Sequence, residues 1–412
     1  MGLTKHQWAI LTIAWLGWVF DIMDSALFVF AKEPMLTEFL GSPERYKLEG
    51  PAIEGKIQLL FLVGWALGGL VFGILADKWG RARTMIITIL IYCLFTGLIA
   101  FCKNAEQVAL VRFISALGIG GEWAAGAALV AETLPNSRRA FGAALLQTAA
   151  AVGPILAAFL NLGIAAENWR TLFLVGVIPA FVTVGIRFFV REPEPQEKTK
   201  TPFFEPLKEM FREPKWRIRA LAALGIGFVG IAGAQNVAFW LPNLVKAVSE
   251  GASAEEVKNY KSWATFALHA GTIIGVLTVP FLCERWGRRR TIWACFLLSP
   301  VTILLATYSG STIQRLLWTA PLMSICAIGV SAAFVLYFPE LFPTRFRATG
   351  AGFAYNTGRI FSAWVPWFTG ALAGMLQGSV VVAVLITSAV LLVIAFVSLP
   401  FAPETKGEPL PE

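Results

Sequence analysis

Apolar residues fall along this chain in long blocks, not in the two-residue alternation of strands or the narrow stripe of a helix with one wet face. Crossing the hydrocarbon core of a bilayer takes about 20 mostly apolar residues in a helix. Twelve blocks reach that length: 8–30, 57–76, 84–102, 107–131, 139–163, 170–190, 217–246, 262–283, 291–309, 313–338, 348–376 and 378–402. The pattern predicts an all-α membrane protein of twelve transmembrane helices, because a single segment satisfies its own backbone in lipid only as a helix. The first block begins near Trp8 and is long enough to span, so no cleaved leader is expected. Two connections are long. Segment 31–56 mixes Lys, Glu, Gly and Pro and is expected to form an external loop. Segment 191–216 opens with Arg-Glu-Pro-Glu-Pro and continues into an amphipathic stretch around Phe203–Phe211, expected to be a short surface helix.

Composition agrees with lipid as the solvent. Of the 412 residues, 57% are hydrophobic and 15% charged, against about a quarter charged in soluble domains. The net charge of +8 invites a nucleic-acid reading. That reading is set aside because the basic residues sit in short loops and form no continuous face. With the amino terminus inside, the clusters Lys78, Arg81 and Arg83; Arg138 and Arg139; Arg285 with Arg288–Arg290; and Arg345 with Arg347 all fall on one side, as does the basic stretch 191–217. By the positive-inside rule both termini are cytoplasmic. The cysteines Cys93, Cys102, Cys283, Cys295 and Cys326 lie in or beside apolar blocks without a CxxC or a nearby His, and read as packing residues, not as metal ligands. No metal or cofactor is expected.

The chain repeats itself. Asp77-Lys-Trp-Gly-Arg-Ala-Arg-Thr84 recurs as Glu284-Arg-Trp-Gly-Arg-Arg-Arg-Thr291. Glu132, Pro135, Arg139, Ala140 and Gly142 recur as Glu340, Pro343, Arg347, Ala348 and Gly350. Pro193-Glu194 recurs as Pro403-Glu404. The offsets of 207, 208 and 210 residues nearly coincide, so the sequence predicts two pseudo-symmetric six-helix bundles. The expected organisation is an amino-terminal bundle over 1–190, a cytoplasmic linker over 191–216, a carboxyl-terminal bundle over 217–402 and a cytoplasmic tail over 403–412.

These motifs carry a resemblance. Gly73-Ile-Leu-Ala-Asp-Lys-Trp-Gly-Arg-Ala-Arg83 resembles the loop signature between helices two and three of the major facilitator superfamily. Pro339-Glu-Leu-Phe-Pro-Thr-Arg-Phe-Arg-Ala-Thr-Gly350 and Pro403-Glu-Thr-Lys-Gly407 resemble the sugar porters and their metabolite:proton relatives. Arg112 with Gly118-Ile-Gly-Gly-Glu-Trp123 resembles the sialate:proton symporters and lactate permeases. The resemblance implies a secondary transporter working by alternating access, with a small molecule and protons as partners, a multi-pass place in a bacterial inner membrane, and a monomer. It also implies that the repeated loop charges Asp77, Arg81, Glu132 and Arg139, with their mates Glu284, Arg288, Glu340 and Arg347, gate the cytoplasmic side. The plainer alternative is a solvated basic loop that only sets orientation.

Ionisable residues well inside a bilayer are costly and point to function. Asp21 and Asp24 share a face of helix one at i and i+3. Helix rise puts Asp24 roughly 7 Å, and Arg112 of helix four roughly 10 Å, to the outer side of their helix centres. Similar depth allows contact. In the proton-linked sugar porters these two correspond to the protonatable aspartate and its arginine, and a static buried ion pair is the alternative. Glu122, in Gly-Gly-Glu-Trp, is a third intramembrane carboxylate, for coupling or for packing. In helix eleven Tyr355, Arg359 and Ser362 share a face with Asn356 adjacent, and no carboxylate of that helix neutralises Arg359. A substrate carboxylate suits it, because the planar guanidinium binds such a group bidentately; Asp21 or Glu122 are its alternative partners. Gln147, Gln235, Asn236 and His269 are further polar contacts. Gln147 and Asn236 resemble in position the sugar-contacting amides of sugar porters, but Gly230-Ile-Ala-Gly-Ala lacks their paired Gln.

No phosphate-cradling Gly-rich loop with Lys-Ser or Lys-Thr occurs, so neither an enzyme nor an ATP-driven engine is expected. The sequence reading is proton-coupled symport of a small organic anion of the sialate or monocarboxylate class. The alternatives are a sugar or polyol porter, proton-coupled or facilitative, and a membrane sensor that has lost transport.

Overall fold

The computed structural model describes residues 3–79, 81–134, 145, 148–164, 168–177, 205–308, 312–343, 347–408 and 411, and among them every regular element is helical. They are α1 Lys5–Leu40, α2 Pro43–Trp79, α3 Arg81–Ile99, α4 Ala105–Thr133 and α5 Ala149–Gly163. Residues 169–177 form α6. The series continues with α7 Glu205–Arg212, α8 Pro214–Ala247, α9 Ala254–Trp286, α10 Arg288–Thr307, α11 Ile313–Ala327, α12 Ser331–Glu340, α13 Arg347–Ser362, α14 Trp364–Met375 and α15 Val380–Ser398. Six described segments are long and apolar enough to cross a bilayer: Gln7–Leu40, Pro214–Ala247, Ala254–Trp286, Arg288–Thr307, Ile313–Glu340 and Val380–Phe401.

The chain divides into two compact units. The first holds Met1–Gln196 with Ala252–Phe266, and the second Glu197–Gly251 with Ala267–Glu412. In the first unit α2 and α3 pack along α4, and α1 packs along α5. Small residues make this possible: a Cβ on Gly68 collides with the Leu117 carbonyl, and one on Gly120 with that of Trp65. The Gly118-Ile-Gly-Gly run is thus where backbones meet, the usual role of glycine at membrane helix contacts. In the second unit α8 is the axis, packed by α13 and α15. Its core gathers Trp216, Ile226, Tyr337 and Phe342, and the stacked rings of Phe334 and Phe338 lie 4.9 Å apart.

Three details differ from the sequence expectation. Segment 31–56 is a helical hairpin and not a loop: α1 runs to Leu40 and α2 starts at Pro43. Gly41 turns the chain at φ +79°, its N–H reaching the Thr37 carbonyl. The Lys, Glu, Leu and Met of this stretch are good helix formers, and polarity alone does not break a helix outside lipid. The blocks 313–338 and 348–376 are each broken once, after Ala327 and after Ser362. At the first break Gly329 lies against Gly275, an approach that a side chain would block. The amphipathic stretch is α7, with Met210 buried and Phe211 edge-on to Phe353 at 5.3 Å.

Candidate functional site

In the first unit α1 turns one charged face inward. Asp21 is 0% and Asp24 3% exposed. Arg112 of α4 is fully buried, its guanidinium carbon 4.1 Å from the ring centroid of Phe28 on α1 and 4.1 Å from that of Phe61 on α2. Asp24 and Arg112 lie within electrostatic reach of each other. Thr96 of α3 approaches Asp24, while its hydroxyl shares a 3.0 Å hydrogen bond with Ser115 of α4. Among the described residues, no well-formed hydrogen bond reaches either Asp24 oxygen or any Arg112 side-chain nitrogen. Burial penalises each of these two opposite charges.

Farther along the same face, Lys32 pairs with Glu54 of α2 at 2.8 Å, both buried. Tyr46 lays its ring against Gly50 and donates to Glu54 Oε1. Glu33 pairs with Lys261 at the start of α9, within the first unit. The Asn161 amide donates to Ser262 Oγ at 2.8 Å. Lys32, Glu33, Tyr46 and Glu54 were assigned no role from sequence, because 31–56 read as a loop. The available signal was the spacing of Asp24, Phe28 and Lys32 at successive i+4 steps. Glu122 sits on α4, but its side chain lies outside the described residues, as does Gln147 altogether.

In the second unit Arg359 of α13 stands beside Tyr355, Nη2 3.3 Å from the phenol oxygen and the guanidinium carbon 5.1 Å from the ring centroid. Ser362 gives its hydroxyl to the Arg359 carbonyl at 2.8 Å, and Asn356 is exposed. Gln235 is half-buried. Asn236 is fully buried, and its amide bridges helices: it donates to the Val384 carbonyl and Ser388 Oγ and accepts from Thr369. His269 lies beside Thr272 (Nδ1 to Oγ1, 3.4 Å), which shares a 2.6 Å hydrogen bond with Ser324.

The second unit's loop charges come together. Arg288 holds Glu340 through two bonds of 3.1 and 3.0 Å. Glu404 accepts the backbone N–H of Arg288 at 2.8 Å and of Arg289 at 3.1 Å, a carboxylate at the amino end of α10 where the helix dipole favours it. Thr405 donates to Glu340, and Tyr337 to the Pro403 carbonyl. The docking of Glu404 was not anticipated. Glu284 is exposed. Arg347 opens α13, Asp77 and Arg81 lie in α2 and α3, and Glu132 lies in α4, each with its side chain outside the described residues; Arg139 is outside them entirely.

Known proteins place this architecture. The fold matches the crystal structure of a D-xylose-proton symporter at a TM-score of 0.74, covering 98% of this chain and 99% of that one at 16% identity. It matches that of the nucleoside transporter NupG at 0.77, covering 97% and 99% at 14% identity. In sequence the chain is 31% identical to the "Probable 4-methylmuconolactone transporter" of Cupriavidus pinatubonensis, over 84% of this chain and 79% of that protein. It is 28% identical to the cis,cis-muconate transport protein of Acinetobacter baylyi, over 98% and 97%. It is 25% identical to the niacin transporter NiaP of the same organism, over 98% and 96%. The profile described as "Sugar (and other) transporter" matches residues 313–412. That of the Major Facilitator Superfamily matches residues 13–254, and together with these relatives it establishes that the chain belongs to the major facilitator superfamily of membrane transporters.

Proposed function

We propose that the protein is a proton-coupled symporter of a small organic acid anion, working as a monomer by alternating access. It spans a bacterial inner membrane twelve times, with both termini in the cytoplasm. The observation that carries this reading is the buried Asp24 within electrostatic reach of Arg112, with no well-formed hydrogen bond to either side chain among the described residues. Asp24 takes the proton and Arg112 is the charge that responds to it; Asp21, on the same face, shapes their field. Arg359, with Tyr355, receives the substrate carboxylate, a role in which the guanidinium fork offers two parallel bonds. The cargoes named for the relatives, muconate and niacin among them, support a conjugated or aromatic acid over a sialate or lactate. The sugar or polyol alternative loses weight because the Asn236 amide is taken up by Val384, Ser388 and Thr369.

Replacing Asp24 by Asn tests the reading in proteoliposomes loaded with benzoate or nicotinate. Uphill uptake driven by a pH gradient should vanish, while counterflow exchange of the same acid continues. Uphill accumulation by the variant would remove Asp24 from the coupling.

A further inference from the structure

The Asp24–Arg112 pair poses a problem that its own two members do not solve. When Asp24 is ionised its field holds Arg112. When Asp24 is neutral that attraction is gone, and a fully buried guanidinium is left with no hydrogen bond among the described residues. Two phenyl rings stand against it, both at 4.1 Å. A ring face is the negative end of the aromatic quadrupole, and its pull on a cation is strongest where water is excluded.

Their placement is specific. Phe28 is 0% exposed and one helical turn outward from Asp24 on α1, so one element carries both the proton site and the first ring. Phe61 is also 0% exposed and is braced edge-on by Trp65 at 5.8 Å. Gly64, one turn away, brings α2 so close to α4 that a Cβ there would lie 2.5 Å from the carbonyl of Phe113, the residue next to Arg112. Rings from two different helices, α1 and α2, thus each lie 4.1 Å from the same guanidinium carbon.

We propose that Phe28 and Phe61 are positioning residues of the proton site: they hold the Arg112 charge through the step in which Asp24 accepts a proton from the external solution. This rests on the reading of Asp24 as the coupling carboxylate. The step is a plain protonation, carboxylate plus proton giving carboxylic acid, and it is favoured because Arg112 does not depend on the carboxylate alone. The rings compete with the carboxylate for the guanidinium, so their pull counts for more when Asp24 is neutral than when its charge draws Arg112 away. Weakening them therefore leaves Arg112 more reliant on ionised Asp24 and lowers the pH at which Asp24 protonates. The nearest other ionisable groups on the packed elements are few. On α1 they are Asp21, one turn inward, and Lys32 and Glu33, two turns outward and paired with Glu54 and Lys261. The nearest on α2, besides Glu54, is Lys56; on α3 they are Tyr92 and Cys93, both buried, and on α4 Glu106 and Glu122; α5 carries none.

The test is an infrared titration of the full-length protein in liposomes. The carboxylic C=O stretch of Asp24 is identified as the band that Asp24→Asn removes. Phe61→Leu should lower its midpoint by about one pH unit. Phenylalanine bearing one, two or three fluorines at position 61 keeps the ring's shape while draining its face, and should lower the midpoint stepwise in that order. Phe61→Tyr, which retains the ring face, should restore it. The fluorinated series decides the matter even if the Leu variant fails to fold. A midpoint that ignores fluorine count, whether or not Leu shifts it, overturns the proposal and leaves the rings as packing. If Asp24→Asn removes no titrating band, the proton-site reading itself falls, and this inference with it.

Discussion

Arg288 and Glu340 meet side by side, Nε to Oε2 at 3.1 Å and Nη2 to Oε1 at 3.0 Å, and residues Glu404 and Thr405 of the tail complete the cluster. The sequence repeat had singled out both residues, and the structure makes them partners. A bidentate pair of this kind is directional, so it either forms fully or breaks, which suits a switch.

Breaking it should slow transport without touching recognition. Arg288→Ala and Glu340→Ala are each expected to cut the rate of substrate exchange severalfold, with the Kd for the bound acid unchanged. Arg288→Lys should recover only part of the rate, because an ammonium cannot make both bonds at once. Exchange rates in proteoliposomes, set beside binding to the same protein in detergent, separate the two effects. A variant that loses affinity while keeping its turnover would place the pair in the substrate site.

The buried pair Lys32–Glu54 predicts a stability effect of characteristic shape. Removing one partner strands a charge in a dry site, which costs about 3–5 kcal/mol. Lys32→Met and Glu54→Leu should each lower the melting temperature sharply. The double variant Lys32→Met/Glu54→Leu should recover most of the loss, since an apolar pair of similar volume avoids desolvating ions. Tyr46 is left without its acceptor in that double variant, so full recovery needs Tyr46→Phe as well. Equal melting temperatures for single and double variants would show that the pair is not sealed from water.

Much of this fold was written in the hydrophobic blocks, and the reasons for the misses are physical. The blocks at 8–30, 217–246, 262–283, 291–309, 313–338 and 378–402 lie on segments long and apolar enough to span. Hydropathy does not see a helix that continues past lipid, so the α1–α2 hairpin around Gly41 read as a loop. The Asp24–Arg112 encounter was legible because a rare charge in an apolar block is conspicuous and helix rise fixes its depth. The Phe28 and Phe61 faces were not legible, because 32 phenylalanines look alike until packing shows which two touch a guanidinium. Asn236 attracted notice as a polar residue in a membrane helix, yet a buried amide needs partners for its own sake, and it finds them in α14 and α15.

Arg359 decides between an acid and a neutral cargo. If the substrate is an anion, the guanidinium beside Tyr355 supplies most of the charge complementarity at that end of the molecule. Hydrogen bonds to charged groups contribute about 1.5–3 kcal/mol, so Arg359→Ala should weaken binding by roughly ten- to a hundredfold. Arg359→Lys should rescue only in part, because a point charge does not reproduce the fork. Tyr355→Phe should cost less, since it removes one 3.3 Å contact and keeps the ring under the cation. Binding of benzoate against benzamide, and of nicotinate against nicotinamide, reads the same question on the unaltered protein. The acids should bind more tightly, and only their affinities should respond strongly to Arg359→Ala. If acid and amide bind equally, the anion reading falls. Arg359 then becomes a structural charge whose loss lowers expression and melting temperature while leaving selectivity alone, and a sugar or polyol becomes the cargo to pursue.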